Sequence, residues 1–226
     1  MNQQAPTIFT PQAGQTEWWE GNPEKIPLVS LSARHPSIIA RPNTISREQC
    51  KVLIDCFERN RAEHGAQSGN EFWDGRFIWQ NSLPESEVEA LRIMQQIRLI
   101  AQVTLMQEIA LPHPLYSDTA QIVLWTEGYE LRPHTDNLEP DGRPNTTPHR
   151  ICSSLLYLND EYEGGETYFP GHNVRVQPDP GLLVLFGSGP DYVHGVTKVR
   201  SGRRYVYAGW FTFNPKQEDP NAKRIF

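Results

Sequence analysis

The chain has 226 residues, of which 38% are apolar and 21% charged, and its formal net charge is −6. This length suits one domain with one good core, and the negative charge without a basic block disfavours a nucleic-acid partner. Three cysteines make neither a disulfide framework nor a cysteine metal site, and no apolar run is long enough to span a bilayer. Because the first residues show no signal-peptide pattern, we expect a cytoplasmic protein without a membrane partner.

Residues 1–36 are polar and interrupted by prolines, so we predict an N-terminal arm ahead of a single domain over residues 37–226. The arm contains Trp18 and Trp19 but no clear hydrophobic period. One interpretation is that the arm wraps the domain and buries its tryptophans. The other is that it contributes to the mouth of an active site or to an oligomer contact. Neither the role of the two tryptophans nor the oligomeric state follows from the pattern.

Two helices are predicted in the first half of the chain. Ser46 and Gln49 have the spacing of a capping box, and four apolar residues then recur at the period of one helical face, which predicts a helix over about 46–61. A second helix is predicted over roughly 85–109, with one apolar side and mixed charge on the rest. We expect both helices to pack on the outside of a sheet.

The segment between the helices is rich in aromatic residues. Asp74–Gly75 has aromatic flanks, a pattern that predicts a β-hairpin over Phe72–Trp79. An exposed hairpin could close over a substrate, and in that interpretation Trp73 and Arg76 contact the substrate. In the alternative interpretation, the tryptophans of this segment only cover the sheet.

From about residue 119 to residue 213 the pattern changes to short β-like runs separated by turns. The predicted strands are Ala120–Trp125, Glu130–His134, Ile151–Leu158, Thr167–Phe169, Val174–Val176, Leu182–Phe186, Tyr192–His194 and Tyr205–Phe213. We therefore predict a mainly β fold with flanking helices, a double-stranded β-helix (jelly-roll) with two supporting N-terminal helices. The loop Asn137–His149 has no apolar period and is a candidate specificity loop.

His134 and Asp136 are the first candidate metal ligands. They are two residues apart, so on an extended strand both side chains project from the same face. His194 follows the buried run Leu182–Phe186, and a jelly-roll can bring its strand beside His134. Two histidines and one carboxylate on one side of an octahedral ion leave positions open, which suits a non-haem Fe(II) that binds a co-substrate and O2. A structural zinc site is more often closed by four protein ligands.

Arg204 is the candidate partner of the co-substrate. A chelating 2-oxo acid needs a cation for its far carboxylate, and a guanidinium can hold a carboxylate through two parallel hydrogen bonds. Arg204 lies ten residues after His194, beyond a Ser201–Gly202 turn that would send the next strand back beside the metal. Arg203 is adjacent and would face the opposite side of that strand.

Further stretches between about 37 and 213 accompany these residues. In chain order they are Ser46–Cys50, the strand that leads to His134–Asp136, Leu155–Asn159, Gly164–Pro170, Pro180–Phe186, His194–Val196, Gly202–Tyr205 and Trp210–Phe211. Together they resemble the iron(II)- and 2-oxoglutarate-dependent dioxygenases, in particular the prolyl 4-hydroxylase-like branch.

This resemblance implies that His134, Asp136 and His194 ligate iron and that Arg204 binds the distal carboxylate of 2-oxoglutarate. Tyr157 matches a position that donates a hydroxyl to the same carboxylate in some members. Trp125 stands where the family commonly has a tyrosine, and its indole offers one N–H donor and no hydroxyl. The acidic ligand, which related halogenases replace by Gly or Ala, implies hydroxylation and not halogenation.

The implied reaction hydroxylates an unactivated C–H bond and releases succinate and CO2. The implied cofactors are Fe(II), 2-oxoglutarate and O2, with ascorbate as an optional reductant. The substrate is an amino acid, another small metabolite or a peptide, with proline among the candidates, and our candidate contacts are Trp73, Arg76, Asn137 and Arg150. Arg150 could equally be a structural ion-pair partner. The alternatives are a nucleic-acid or nucleobase dealkylase with the same iron site and a non-enzymatic jelly-roll binding module.

Overall fold

The computed structural model describes residues 19–31, 35–65 and 71–222, so Trp18 and most of the predicted arm lie outside the described residues. The helices are α1 (Arg47–His64) and α2 (Val88–Glu108). The strands are β1 (Leu28–Val29), β2 (Ile39–Arg41), β3 (Phe77–Trp79), β4 (Tyr116–Thr126), β5 (Leu131–His134), β6 (Arg150–Tyr157), β7 (Tyr162–Gly164), β8 (Thr167–Phe169), β9 (Val174–Val176), β10 (Leu183–Gly187), β11 (His194–Val196) and β12 (Val199–Thr212). The predicted mainly β fold with two flanking helices is confirmed.

The strands form two sheets that enclose a core. The smaller sheet has the order β1-β9-β8-β11-β5, and the larger has the order β2-β10-β6-β12-β4-β3 with β7 paired to β12. Every pairing is antiparallel except that of β1 with β9. Apolar side chains from both sheets share one buried cluster, as the facing layers of a jelly-roll require. The large sheet also presents its inner face to the cavity described below.

Both helices pack on the outer face of the larger sheet. Helix α1 begins with the predicted capping box, in which Ser46 Oγ accepts from the Gln49 N–H at 3.2 Å and the Ser46 N–H donates to Gln49 Oε1 at 3.0 Å. A second buried cluster joins apolar residues of α1 and α2 to those of β4, β6, β10 and β12. The helices therefore support the sheet, as predicted. No α-helix in the described ranges combines the length and the apolarity needed to cross a membrane.

Two local predictions are wrong. The predicted hairpin over Phe72–Trp79 is a run of turns over residues 71–76, and β3 pairs with β4, Phe77 opposite Val123. Gly75 supplies the positive φ of a turn, but the aromatic rings before it pack together and do not alternate across a strand. The strand predicted over Tyr192–His194 begins only at His194, because Pro190–Tyr192 forms a 3-10 turn.

A buried ion pair fastens the C-terminal segment to α2. Arg98 Nη1 lies 2.8 Å from Asp219 Oδ2, with 4% and 2% of the two side chains exposed, and Arg98 Nη2 donates to the Asp118 carbonyl at 2.7 Å. We expect Asp219→Ala to lower the free energy of unfolding by about 3–5 kcal/mol, because it leaves the Arg98 charge buried and without its partner. Urea denaturation measures this change.

Asp160→Ala is the matched control for that prediction. Asp160 pairs with Arg47 at 3.2 Å on the surface, so its removal should change the free energy of unfolding by no more than about 1 kcal/mol. Equal losses in the two variants would contradict a structural role for the buried pair.

Candidate active site

The pairing of β5 with β11 brings the predicted metal ligands together. His134 is the Cα partner of His194 in this pair, and Asp136 lies two residues beyond the end of β5. His134 Nε2 is 3.8 Å from Asp136 Oδ1, and His194 Nε2 is 3.9 Å from Asp136 Oδ2. One nitrogen or oxygen atom from each residue lies within 4.8 Å of the others. Three ligands from one side can hold a single divalent ion and leave its other positions open.

The other ring nitrogens of both histidines face backbone carbonyls. His134 Nδ1 is 3.1 Å from the Arg132 oxygen, and His194 Nδ1 is 3.0 Å from the Tyr192 oxygen. A proton on Nδ1 would be donated to these carbonyls and leave the Nε2 lone pair for a metal ion. The backbone therefore orients both imidazoles for metal binding.

The Asp136 carboxylate accepts a hydrogen bond from the Ser153 hydroxyl. Ser153 Oγ donates to Asp136 Oδ2 at 2.5 Å and lies 2.8 Å from Ser188 Oγ. Burial alone would raise the pKa of Asp136, but the neighbouring histidines and the Ser153 hydrogen bond bring it below its usual value. Burial, with His134 nearby, lowers the pKa of His194 to about 4. An ionised carboxylate and a neutral imidazole are the forms that bind metals, so this donor set fits a divalent cation.

Arg204 lies at the inner end of the same cavity. It is 1% exposed and donates from Nη2 to Thr167 Oγ1 at 3.0 Å, while its Nε has no hydrogen-bond partner. No carboxylate of the described ranges forms an ion pair with it. A buried guanidinium without a counter-ion is costly, so its environment fits an anionic ligand.

More unpaired polar atoms surround Arg204. The Tyr157 hydroxyl, the Tyr162 hydroxyl and the Trp125 Nε1 are buried without a partner among the described residues. The Arg204 Cζ lies 5.5 Å from the Tyr157 ring and 5.6 Å from the Trp125 ring, and burial raises the pKa of both tyrosines while Arg204 lowers it. Several hydrogen-bond donors thus lie close together around Arg204, where a ligand carboxylate could accept from them. Tyr162 was not predicted, because the short β7 gave no periodic signal.

A cavity of about 370 Å³ joins the two ends of the site. Its lining includes the three candidate ligands, Arg204 and Trp125, together with Trp73 and Arg150 from the predicted substrate contacts.

Arg150 also donates to Asp118 Oδ2 at 3.1 Å, and its Cζ lies 3.7 Å from the Trp210 ring centroid. The ion-pair interpretation of Arg150 is confirmed, while its contact with a substrate stays a prediction. Asn145 and Thr147 bring the predicted specificity loop to the rim.

The structure does not place Arg76 and Asn137 as substrate contacts. The Arg76 guanidinium stacks 3.6 Å from the Tyr129 ring centroid and donates to the Phe72 carbonyl at 2.8 Å. Neither Tyr129 nor Phe72 lines the cavity. Asn137 donates to the Arg150 carbonyl at 3.0 Å and does not line the cavity. Neither side chain lines the cavity, and Arg76 Nη2 and Asn137 Oδ1 are buried without a hydrogen-bond partner among the described residues. Their contact with a substrate therefore stays a prediction.

Comparisons with known proteins agree with this geometry. Residues 120–212 match the family model of the 2OG-Fe(II) oxygenase superfamily. Prolyl 3-hydroxylase 3 of Mus musculus is 29% identical over 195 residues, which are 83% of this chain and 23% of that protein. The chain thus spans less than a third of the length of this curated relative.

Two solved structures share the fold. The viral collagen prolyl hydroxylase vCPH of Paramecium Bursaria Chlorella virus-1, in its 2OG complex, has a TM-score of 0.60 at 16% identity, covering 79% of this chain and 96% of that chain. A Pseudomonas putida prolyl-4-hydroxylase has a TM-score of 0.59 at 20% identity, covering 79% of this chain and 93% of that chain. The jelly-roll prediction is therefore confirmed.

Proposed function

We propose that this chain is a 2OG-Fe(II) oxygenase that hydroxylates peptidyl substrates, with proline as the first candidate residue, because its residues 120–212 match the model of that superfamily. The observation that carries the proposal is the cavity that joins a His-Asp-His cluster to the buried guanidinium of Arg204, whose Nε has no hydrogen-bond partner among the described residues. A bifunctional small acid that chelates a metal at one end and forms an ion pair at the other fits this arrangement. 2-Oxoglutarate has that chemistry.

Each residue then has a defined task. His134, Asp136 and His194 would hold Fe(II), and Arg204 would bind the distal carboxylate of 2-oxoglutarate. Tyr157 would donate its hydroxyl to the same carboxylate. The ring of Trp125 would form part of the cavity wall beside Arg204. When bound, Fe(II) and 2-oxoglutarate supply the means to convert O2 and a substrate C–H bond into an alcohol, with release of succinate and CO2.

The aromatic wall supports the same proposal by excluding water. Trp73 packs edge-on against Trp125 with ring centroids 5.7 Å apart and against Phe77 at 6.1 Å. These rings close one side of the cavity, which keeps a reactive site dry and gives an apolar surface for a substrate. The tryptophans thus cover the sheet and line the site at once.

A peptide substrate has the most support. The matched relative is named a prolyl 3-hydroxylase, and a matched structure is named a collagen prolyl hydroxylase. The net charge of −6 disfavours an oligonucleotide substrate. The cytoplasmic location remains a prediction.

The test is succinate formation by the protein supplied with Fe(II), 2-oxoglutarate and O2. Candidate co-reactants are proline-rich peptides, free amino acids and oligonucleotides, each added separately. We expect peptides to raise succinate formation above the substrate-free rate and to gain one oxygen atom by mass spectrometry. Stimulation by oligonucleotides alone, or by free amino acids alone, would contradict the proposal.

A further inference from the structure

Gln121 occupies a distinct place on the inner face of the larger sheet. On β4 it is the Cα partner of Trp79 in β3 and of Ala208 in β12, while Trp125 further along β4 is the partner of Arg204. Trp125 lies four residues after Gln121 on the same extended strand, so the distance between the two positions is roughly 13 Å. Gln121 therefore lies in the same cavity as the Arg204 end but well away from it.

The side-chain oxygen of Gln121 has no hydrogen-bond partner among the described residues. The residue is 8% exposed, and its Oε1 is buried and meets no donor within the part of the chain that the structure describes. Buried amide oxygens nearly always have a hydrogen-bond partner, because losing water without replacing it is unfavourable. An unpaired amide in a cavity wall indicates a partner that is supplied by a ligand.

The surroundings of Gln121 are mainly aromatic, and the Arg150 guanidinium lies on the ring of Trp210. The rings of Trp79 and Trp210 lie beside it in the cavity lining, with their centroids 6.4 Å apart, and Ala208 leaves space across the strand. Planar aromatic walls with one amide are complementary to a planar amide group that has apolar neighbours. A backbone peptide group meets that description.

The charges in the cavity argue against a free amino acid. The charged or titratable side chains in its described lining are Asp136, Arg150, Arg204, His134 and His194. Asp136 belongs to the metal cluster and Arg150 is paired with Asp118, so no carboxylate remains for a substrate ammonium. A substrate segment without charge is the better match.

On the proposed function above, we propose that the Gln121 amide, in the part of the cavity lined by Trp79 and Trp210, binds a backbone amide of the peptide substrate. Its Oε1 accepts from a substrate N–H, and its Nε2 can donate to a substrate carbonyl. Gln121 would thereby select peptides over free amino acids and set the position of the chain relative to the metal cluster.

The probes are N-acetyl N-methylamides of proline, alanine and leucine, with free L-proline for comparison. Calorimetric titrations use the protein loaded with Mn(II) and 2-oxoglutarate without O2, so that binding is measured apart from turnover. We expect at least one diamide to bind more tightly than L-proline. Gln121→Met, which keeps the length and removes both polar atoms, should weaken that diamide on the order of tenfold and leave 2-oxoglutarate binding unchanged within about twofold.

Gln95→Met is the matched control, since the Gln95 amide donates to the Ala222 carbonyl outside the cavity. It should bind the diamide like the wild type. Thermal unfolding should show that Gln121→Met is no less stable than the wild type, because the buried Oε1 that it removes accepts no hydrogen bond from the described residues.

Three results would overturn the inference: no diamide binds to the wild type, L-proline binds more tightly than every diamide, or Gln121→Met binds the diamide like the wild type. If 2-oxoglutarate still binds and is converted to succinate in these cases, only the role of Gln121 fails. If 2-oxoglutarate neither binds nor is consumed, the proposed function fails instead.

Discussion

Asp136→Ala is expected to reduce metal affinity by at least about 100-fold and to bring succinate formation to background. Asp136 is the carboxylate between the two histidine nitrogens, so its loss leaves two neutral ligands for a divalent cation. Loss of residues that only support a ligand already weakens metal sites about 10- to 100-fold, and a direct ligand should matter more. Titration with Mn(II) by electron paramagnetic resonance measures the affinity directly.

Asp141→Ala is the control, because Asp141 lies in the same loop but pairs with Arg143 on the surface. It should keep the metal affinity and activity of the wild type. Unchanged Mn(II) affinity in Asp136→Ala would show that the cluster is not the metal site.

Arg204→Leu is expected to weaken 2-oxoglutarate binding by about 100-fold or more. Removing one partner of a buried charge pair costs about 2–5 kcal/mol, and about 2.7 kcal/mol corresponds to 100-fold. Metal affinity should remain, since Arg204 belongs to the larger sheet and the metal ligands belong to the smaller one and the turn after it. Equilibrium binding of 2-oxoglutarate to the Mn(II)-loaded protein gives the measurement.

Arg203→Leu changes the same residue type one position away. The Arg203 side chain is 56% exposed and lies 3.4 Å from Glu58 on the outer surface, so this variant should bind 2-oxoglutarate normally. Similar weakening in both variants would show that total charge matters and not the position of Arg204.

Elements with a clear hydrophobic periodicity or a capping motif could be predicted from the sequence. The capping box at Ser46 and the apolar face that follows specify α1 from local sequence alone, and they act without help from distant residues. The bounds of the strands Thr167–Phe169 and Val174–Val176 also match the prediction, although their pairing depends on other strands. The spacing of His134 and Asp136 predicted that the two ligands lie together, although Asp136 follows the end of β5 and is not on the strand.

Other features depend on contacts between distant segments. Arg76 was predicted to contact the substrate, but in the folded chain its guanidinium stacks on the rings of Tyr129 and Phe72. Gln121 carries no motif, and only its pairing with Trp79 and Ala208 places it in the cavity wall. Strand pairing of this kind is set by tertiary packing, which a single sequence does not display.

The most direct measurement is visible absorption after Fe(II) and 2-oxoglutarate are added to the protein without O2. A weak charge-transfer band should appear for the wild type, because a 2-oxo acid that chelates an iron ion held by His134, Asp136 and His194 absorbs in this range. The band should be absent in His134→Ala. A wild-type protein without the band, giving the same spectrum as His134→Ala, would contradict the assignment of this cavity as an iron- and 2-oxoglutarate-dependent active site.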